Sequence, residues 1–174
     1  MPKPSLIISR IEFDVTAIAN ALKISEDQAI SALRDGRGAW PFSEIWGEKL
    51  YEFIKHSNSN MPFSDGAVAL GQLRDANISV KALTRGGVKF QQSKYVGYGR
   101  GTDKSGLVAS IEASDRVVLV DITDFPVVRF IPIDSTRLVS AAHTERLTVS
   151  GWSKAKLYEW LEEVYDLSEI LLSL

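Results

Sequence analysis

FSDGAVALGQLRDANISVKALTRGGVKF, residues 63–90, sets an acid, a short apolar strand and a group of cations in close succession. Asp65 stands in a Ser-Asp-Gly turn. AVAL (67–70) and NISVKAL (77–83) read as two short strands, joined as a hairpin across GQLRDA. Side chains alternate along a strand, so Ser79 and Lys81 share one face while Val80 points the other way, into a core. A buried hairpin of this kind needs a sheet around it and helices on that sheet.

The flanking sequence supplies both. RVVLVDI (116–122) is an apolar run of buried-strand type, and PVVRFIPI (126–133) returns beside it. SGLVASIEAS (105–114), between the hairpin and these strands, reads as a helix packed on the sheet. Upstream, PFSEIWGEKLYEFIKHSN carries an apolar stripe (Phe42, Ile45, Trp46, Leu50, Phe53, Ile54) opposite Glu44, Glu48 and Glu52, as a helix would. Val15, Ile18, Ala19 and Leu22 mark an earlier helix. Ser25, followed by Glu26 and Asp27, caps another that Gly36 ends. SGWSKAKLYEWLEEVYDLSEILLSL is expected to be helical. The expectation is an α/β fold: a central mixed sheet flanked by helices. Residues 1–40 form a helical N-terminal segment and residues 41–174 the α/β core with its C-terminal helix. The two helices joined by KIS resemble a helix-turn-helix, or form a plain helical hairpin that covers the core.

With 174 residues, 45% hydrophobic and 24% charged, the chain has an ordinary globular composition and can bury a core unaided. There is no cysteine, which excludes a disulfide framework, a zinc-thiolate centre and a cysteine nucleophile. MPKPSLIISR does not read as a signal peptide, and no segment has the ~18–20 consecutive apolar residues of a membrane span. A cytoplasmic protein is expected. The net charge is −2, but residues 81–104 hold Lys81, Arg85, Lys89, Lys94, Arg100 and Lys104 against Asp103 alone, a local +5. Fields decay over ~8–10 Å in physiological salt, so local charge decides contact with phosphates.

Phosphodiester hydrolysis needs a polarised phosphoryl oxygen, an activated water and a stabilised leaving oxygen, and Mg²⁺ held by carboxylate, carbonyl and water oxygens supplies all three. Asp65, the Val80 carbonyl and Lys81 are residue types suited to that task. Here the sequence resembles the PD-(D/E)XK nuclease superfamily, and within it the type II restriction endonucleases. Asp65 in SDG takes the Asp position and Lys81 in SVK the Lys position, while Ser79 falls where an acid normally stands. The resemblance covers roughly residues 43 to 133, including the order helix, hairpin, helix, strand. It implies a Mg²⁺-dependent, sequence-specific endonuclease acting on double-stranded DNA. Asp65 would ligate metal, Val80 would lend its carbonyl, Lys81 would position the attacking water, and Ser79 would line the site. Glu48, Glu112 or Glu44 would replace the missing carboxylate, or Gln91 or Gln92 would give a neutral oxygen. Arg85, Lys89, Gln91, Gln92, Lys94, Arg100 and Lys104 are the candidate DNA contacts. Cutting both strands needs two sites, so a two-fold homodimer is expected.

Other readings stand beside this one. The chain reads alternatively as a non-catalytic helix-turn-helix DNA-binding protein, as a repair or junction nuclease on the same core, or as a protein-binding α/β domain. Asp65 before Gly66 is also a common turn, and Lys81 also suits the edge of a sheet, where lysine discourages aggregation. GYGRG (97–101) lacks the Gly-Lys-Ser/Thr of a P-loop. His56 and His143 are too isolated for a zinc site, and no serine sits in a G-x-S-x-G elbow.

Overall fold

The computed structural model describes residues 2–35, 38, 41–55, 66–68, 76–91 and 103–172, with the backbone alone at 43, 44, 53–55 and 66–68. Strand β1 (Ser5–Glu12) leads into helices α1 (Val15–Leu22) and α2 (Glu26–Arg34). A π-helical turn (Pro41–Trp46) continues as α3 (Gly47–Tyr51), followed by β2 (Phe53–Lys55), β3 (Gly66–Val68) and β4 (Asn77–Leu83). Then come α4 (Lys104–Glu112), β5 (Arg116–Asp121), β6 (Val127–Asp134), α5 (Ser135–His143), α6 (Lys154–Val164) and β7 (Asp166–Leu171).

The strands form one mixed sheet in the order β2-β3-β4-β5-β6-β1-β7. The β3–β4 hairpin is antiparallel, and β4 and β5 run parallel with α4 as the crossover. β6 returns antiparallel beside β5, β1 lies antiparallel to β6, and β7 is parallel to β1. Helices cover both faces, as the α/β reading expects. On one face Leu83, Val117, Leu119 and Ile131 pack with Leu107 and Ile111 of α4, Leu138 of α5, and Leu157, Trp160 and Leu161 of α6. On the other, Ile78, Val118, Val120 and Phe130 pack with Phe42, Trp46 and Leu50, and with Val15, Ile18, Ile30 and Leu33 of α1 and α2. The core of β5 is buried on both sides, which is why its sequence is an unbroken apolar run. No helix among the described residues is long and apolar enough to cross a membrane.

Three stretches depart from the sequence expectation. Residues 5–12 are not part of a helical segment: they form β1, which lies inside the sheet between β6 and β7. Their three isoleucines suit a strand, but Leu6, Ile8 and Ile11 bury without strict alternation, so the period is blurred. The third helix stops at Tyr51 because Glu52 adopts a left-handed backbone (φ 51°, ψ 36°), and Phe53–Lys55 turn into β2. The final helix ends at Val164. Leu167, Ile170 and Leu171 have helical spacing, yet Tyr165 is extended (φ −123°, ψ 157°) and pairing with β1 draws 166–171 into a strand. Ser25 does cap α2, and with Gln28 it forms a reciprocal capping box.

Candidate metal and nucleic-acid site on strand β4

Hydrogen-bond direction along β4 fixes what each residue can offer. The Asn77 carbonyl accepts from Asp115 N at 2.9 Å and the Leu83 carbonyl from Ile122 N at 3.2 Å, both on the β5 side. In a strand these directions alternate, so residues 77, 79, 81 and 83 address β5 and residues 78, 80 and 82 address β3. The Val80 carbonyl therefore turns toward β3, the strand that follows Asp65. Gly66 pairs with Ile78, which brings the residue after Asp65 beside the one before Ser79. Asp65 itself lies outside the described residues.

Ser79 and Lys81 share the face that carries α4, α5 and α6, while Val80 packs with the cluster on the other face. Ser79 is 7% exposed. Lys81 is half-buried, sits across from Leu119 of β5, and makes no ion pair or hydrogen bond among the described residues. β4 is the third of seven strands; its described pairing with β3 covers Asn77 and Ile78, and at Lys81 the described pairing is with β5. Among the described residues this lysine has no stabilising partner to account for it. An ammonium held beside apolar side chains interacts more strongly with an arriving anion than one in open water.

The candidate replacement acids separate. Glu112 is the last residue of α4, exposed, on the same layer as Lys81. It lines a cleft of about 460 Å³ with Asp115, Arg116 and Asp134, at the end of the sheet where β4 begins. There Asp115 Oδ2 accepts from Asn77 N at 2.8 Å, and Asp134 pairs with Arg116. Glu48 is exposed on α3, whose Leu50 and Tyr51 pack against the opposite face of the sheet. The Glu44 side chain lies outside the described residues. Among the described residues no three His, Asp or Glu side chains converge as a metal cage.

The basic segment divides likewise. β4 leads through Thr84 into a tight turn closed by Gly87 N to Thr84 O at 2.9 Å, which leaves Arg85 and Lys89 exposed. Val88 then pairs with Trp152 in both directions, at 2.9 and 3.0 Å. Gly151 (φ 77°) is required here, because a Cβ would run into the Val88 backbone. Two of the expected DNA contacts are engaged within the protein. Gln91 is 7% exposed and its Nε2 donates to the Asp103 carbonyl at 3.5 Å, at the cap of α4, so it is turned inward. Lys104 Nζ donates to the His143 carbonyl at 3.1 Å and lies 3.7 Å from Glu145, so its charge is met within the protein. Gln92, Lys94 and Arg100 lie outside the described residues.

α1 and α2 pack on the sheet, and Arg34 anchors them by donating twice to the Phe125 carbonyl, at 2.7 and 3.1 Å. The start of α2 exposes Glu26 and Asp27. A recognition helix enters DNA by its N-terminal end, where these carboxylates would oppose phosphates.

One charged cluster was passed over in the sequence. Asp121, at the end of β5, is fully buried. Its Oδ1 accepts from Thr123 N at 2.9 Å and Thr123 Oγ1 at 2.6 Å, and its Oδ2 from Tyr158 Oη at 2.8 Å. Burial, then the Asp121 charge, push the Tyr158 ionisation far upward. Lys154 reaches Asp124 at 2.6 Å, and Arg129 joins Asp124 (2.9 Å) to Glu169 (3.1 Å). The signal was an acid closing an otherwise apolar strand. Its oxygens are already supplied with donors, so the cluster braces β5 against α6.

Comparison with models of protein families, with curated proteins and with solved structures finds no match.

Proposed function

We propose that the chain is a Mg²⁺-dependent endonuclease that hydrolyses phosphodiester bonds in double-stranded DNA, sequence-specific in the manner its resemblance implies, and cytoplasmic. The observation that carries this reading is Lys81: a half-buried cation with no partner among the described residues, on an inner strand, beside a Val80 carbonyl turned toward the strand after Asp65. The succession α3, antiparallel β2–β3–β4, α4, then β5 parallel to β4 supports it.

The available donors are oxygens, which suits a hard cation. Asp65, the Val80 carbonyl and one glutamate, Glu112 or Glu48, would hold Mg²⁺. When bound, it polarises the phosphoryl oxygen and acidifies a water. The Lys81 ammonium orients that water and meets the charge that grows on the phosphoryl oxygens, with Leu119 beside it keeping the surroundings apolar. Ser79 lines the same face. Arg85 and Lys89 hold backbone phosphates without reading sequence. Cutting both strands requires a second site, which a homodimer provides.

The deciding experiment incubates supercoiled plasmid with the protein in Mg²⁺ or in chelator, with Lys81→Ala purified identically as the control for contaminating nucleases. Discrete fragments with the wild type in Mg²⁺ alone are expected. Intact plasmid, or equal cleavage by Lys81→Ala, overturns the reading.

A further inference from the structure

Strand β7 is one margin of the sheet, and among the described residues nothing pairs with its outer side. Two hydrogen bonds show how its backbone is turned. Asp166 N donates to the Pro4 carbonyl at 2.9 Å, and Leu172 N to the Arg10 carbonyl at 2.8 Å. Even-numbered residues of β7 thus address β1, and Leu167, Glu169 and Leu171 direct their N–H and C=O groups outward. Sheet margins are usually blunted by proline, lysine or a bulge. Residues 166–172 contain no proline and no lysine, and their pairing with β1 runs in unbroken register. Ile170 and Leu171 are 44% and 62% exposed on opposite faces of β7, and Ile7 of β1, 42% exposed, shares the face of Ile170.

We propose that β7 pairs antiparallel with β7 of a second copy about a two-fold axis, joining two seven-stranded sheets into one. The outward groups belong to odd-numbered residues, so the axis must fall on a residue and not between two; the central choices are 168, 169 and 170. On Glu169 it would set two carboxylates opposite each other, which is unfavourable. On Ser168 it would set Asp166 against Ile170. On Ile170 it brings the two exposed isoleucines together as a non-hydrogen-bonded pair, with Cα atoms ~4.5 Å apart, and puts Leu171 opposite Glu169. This register joins the exposed isoleucines and parts the acids. The pairing does not depend on the nuclease reading, but it bears on it. The two copies of β4 would stand nine strand spacings apart, roughly 43 Å, so each site would cut its DNA strand at a separate position.

The chain has no cysteine, so Ile170→Cys introduces a single thiol. Under mild oxidation it is expected to yield a covalent dimer that reductant reverses, whereas Ser168→Cys is not. By sedimentation, the wild type should have twice the mass of one chain. Leu171→Pro removes only an outward N–H, leaves the bonds to β1 intact, and should give a monomer with an unchanged circular-dichroism spectrum. A wild-type monomer throughout a concentration series, an Ile170→Cys dimer that does not cross-link, or a Leu171→Pro variant that stays dimeric overturns the proposal.

Discussion

Tyr158 Oη donates to Asp121 Oδ2 at 2.8 Å and so fastens α6 to the end of β5. The carboxylate has no access to water, and its second oxygen is already engaged by Thr123. Among the described residues, Tyr158→Phe leaves Oδ2 with only Lys154, 3.8 Å away. An under-satisfied buried acceptor costs ~1–3 kcal/mol, more when charged, so urea unfolding should register a loss of at least that size. A loss much smaller than this would mean that the tyrosine contributes through its ring alone.

Acid should weaken the fold in a defined window. Hydrogen bonding from Lys154 holds Asp124 below the usual carboxylate range. At Asp134, burial pushes upward, but bonds from Thr136 and Arg116 outweigh it and the net shift is downward. Groups whose folded pKa is depressed stabilise the fold above their unfolded value, about 3.9 for Asp, and lose that contribution as pH falls through the folded value. The melting temperature should therefore vary little through these two groups between about pH 7 and 5 and decline below about pH 4. Asp124→Asn and Asp134→Asn should each flatten that decline, and an undiminished acid slope in the double variant would remove this assignment.

Under the proposed function, substitution of Lys81 separates stability from activity. It makes no ion pair or hydrogen bond among the described residues, so Lys81→Met, which keeps an apolar stem, should change unfolding free energy by no more than about 0.5 kcal/mol. Cleavage should fall by roughly 10² or more, as when a donor to developing charge is removed. A marked drop in stability with activity retained would make Lys81 a structural residue.

The exposed cations should report through salt. Each phosphate contact contributes about 0.9 to the slope of log affinity against log salt, so Arg85→Ala with Lys89→Ala should lower the slope by about 1.8. Lys104→Ala should leave it unchanged, because that ammonium is held by His143 and Glu145. Filter binding from low to moderate salt distinguishes the two. Equal effects would mean that the Lys104 contacts open when DNA arrives.

The hairpin, α4, β5 and β6 were legible because each carries its own period and is bounded by turn residues. β7 was not, since its leucine and isoleucine spacing suits a helix and only β1 makes it a strand. Lys81 and Ser79 could be assigned to one face from their spacing alone. That Gln91 is buried, and that Lys104 is already paired, depends on Asp103, His143 and Glu145, residues distant in the chain or on another element. The layer to which each glutamate belongs was equally hidden, because a helix pattern gives its apolar side but not the face of the sheet it meets.

Under the proposed nuclease function, that layering favours Glu112 as the replacement acid. Ser79 and Lys81 project into the layer of α4, and Glu112 ends α4 with no hydrogen bond or ion pair among the described residues. Glu48 sits on α3, across the sheet. An acid that would share Mg²⁺ with the Val80 carbonyl and act beside Lys81 is better supplied from the Lys81 side. Glu112→Ala should raise the Mg²⁺ concentration for half-maximal cleavage by ~10–100-fold, the usual cost of disturbing a metal's ligand environment. Glu48→Ala should change it less than about twofold on the same scale. Ser79→Glu, placed in the Glu112→Ala chain, puts a carboxylate on the Lys81 face and should recover part of the lost metal affinity. The opposite ranking, with Glu48 controlling the Mg²⁺ requirement, would mean that metal is held from the α3 side of the sheet. A requirement that neither variant alters would leave Asp65 and the Val80 carbonyl without an acid from either helix.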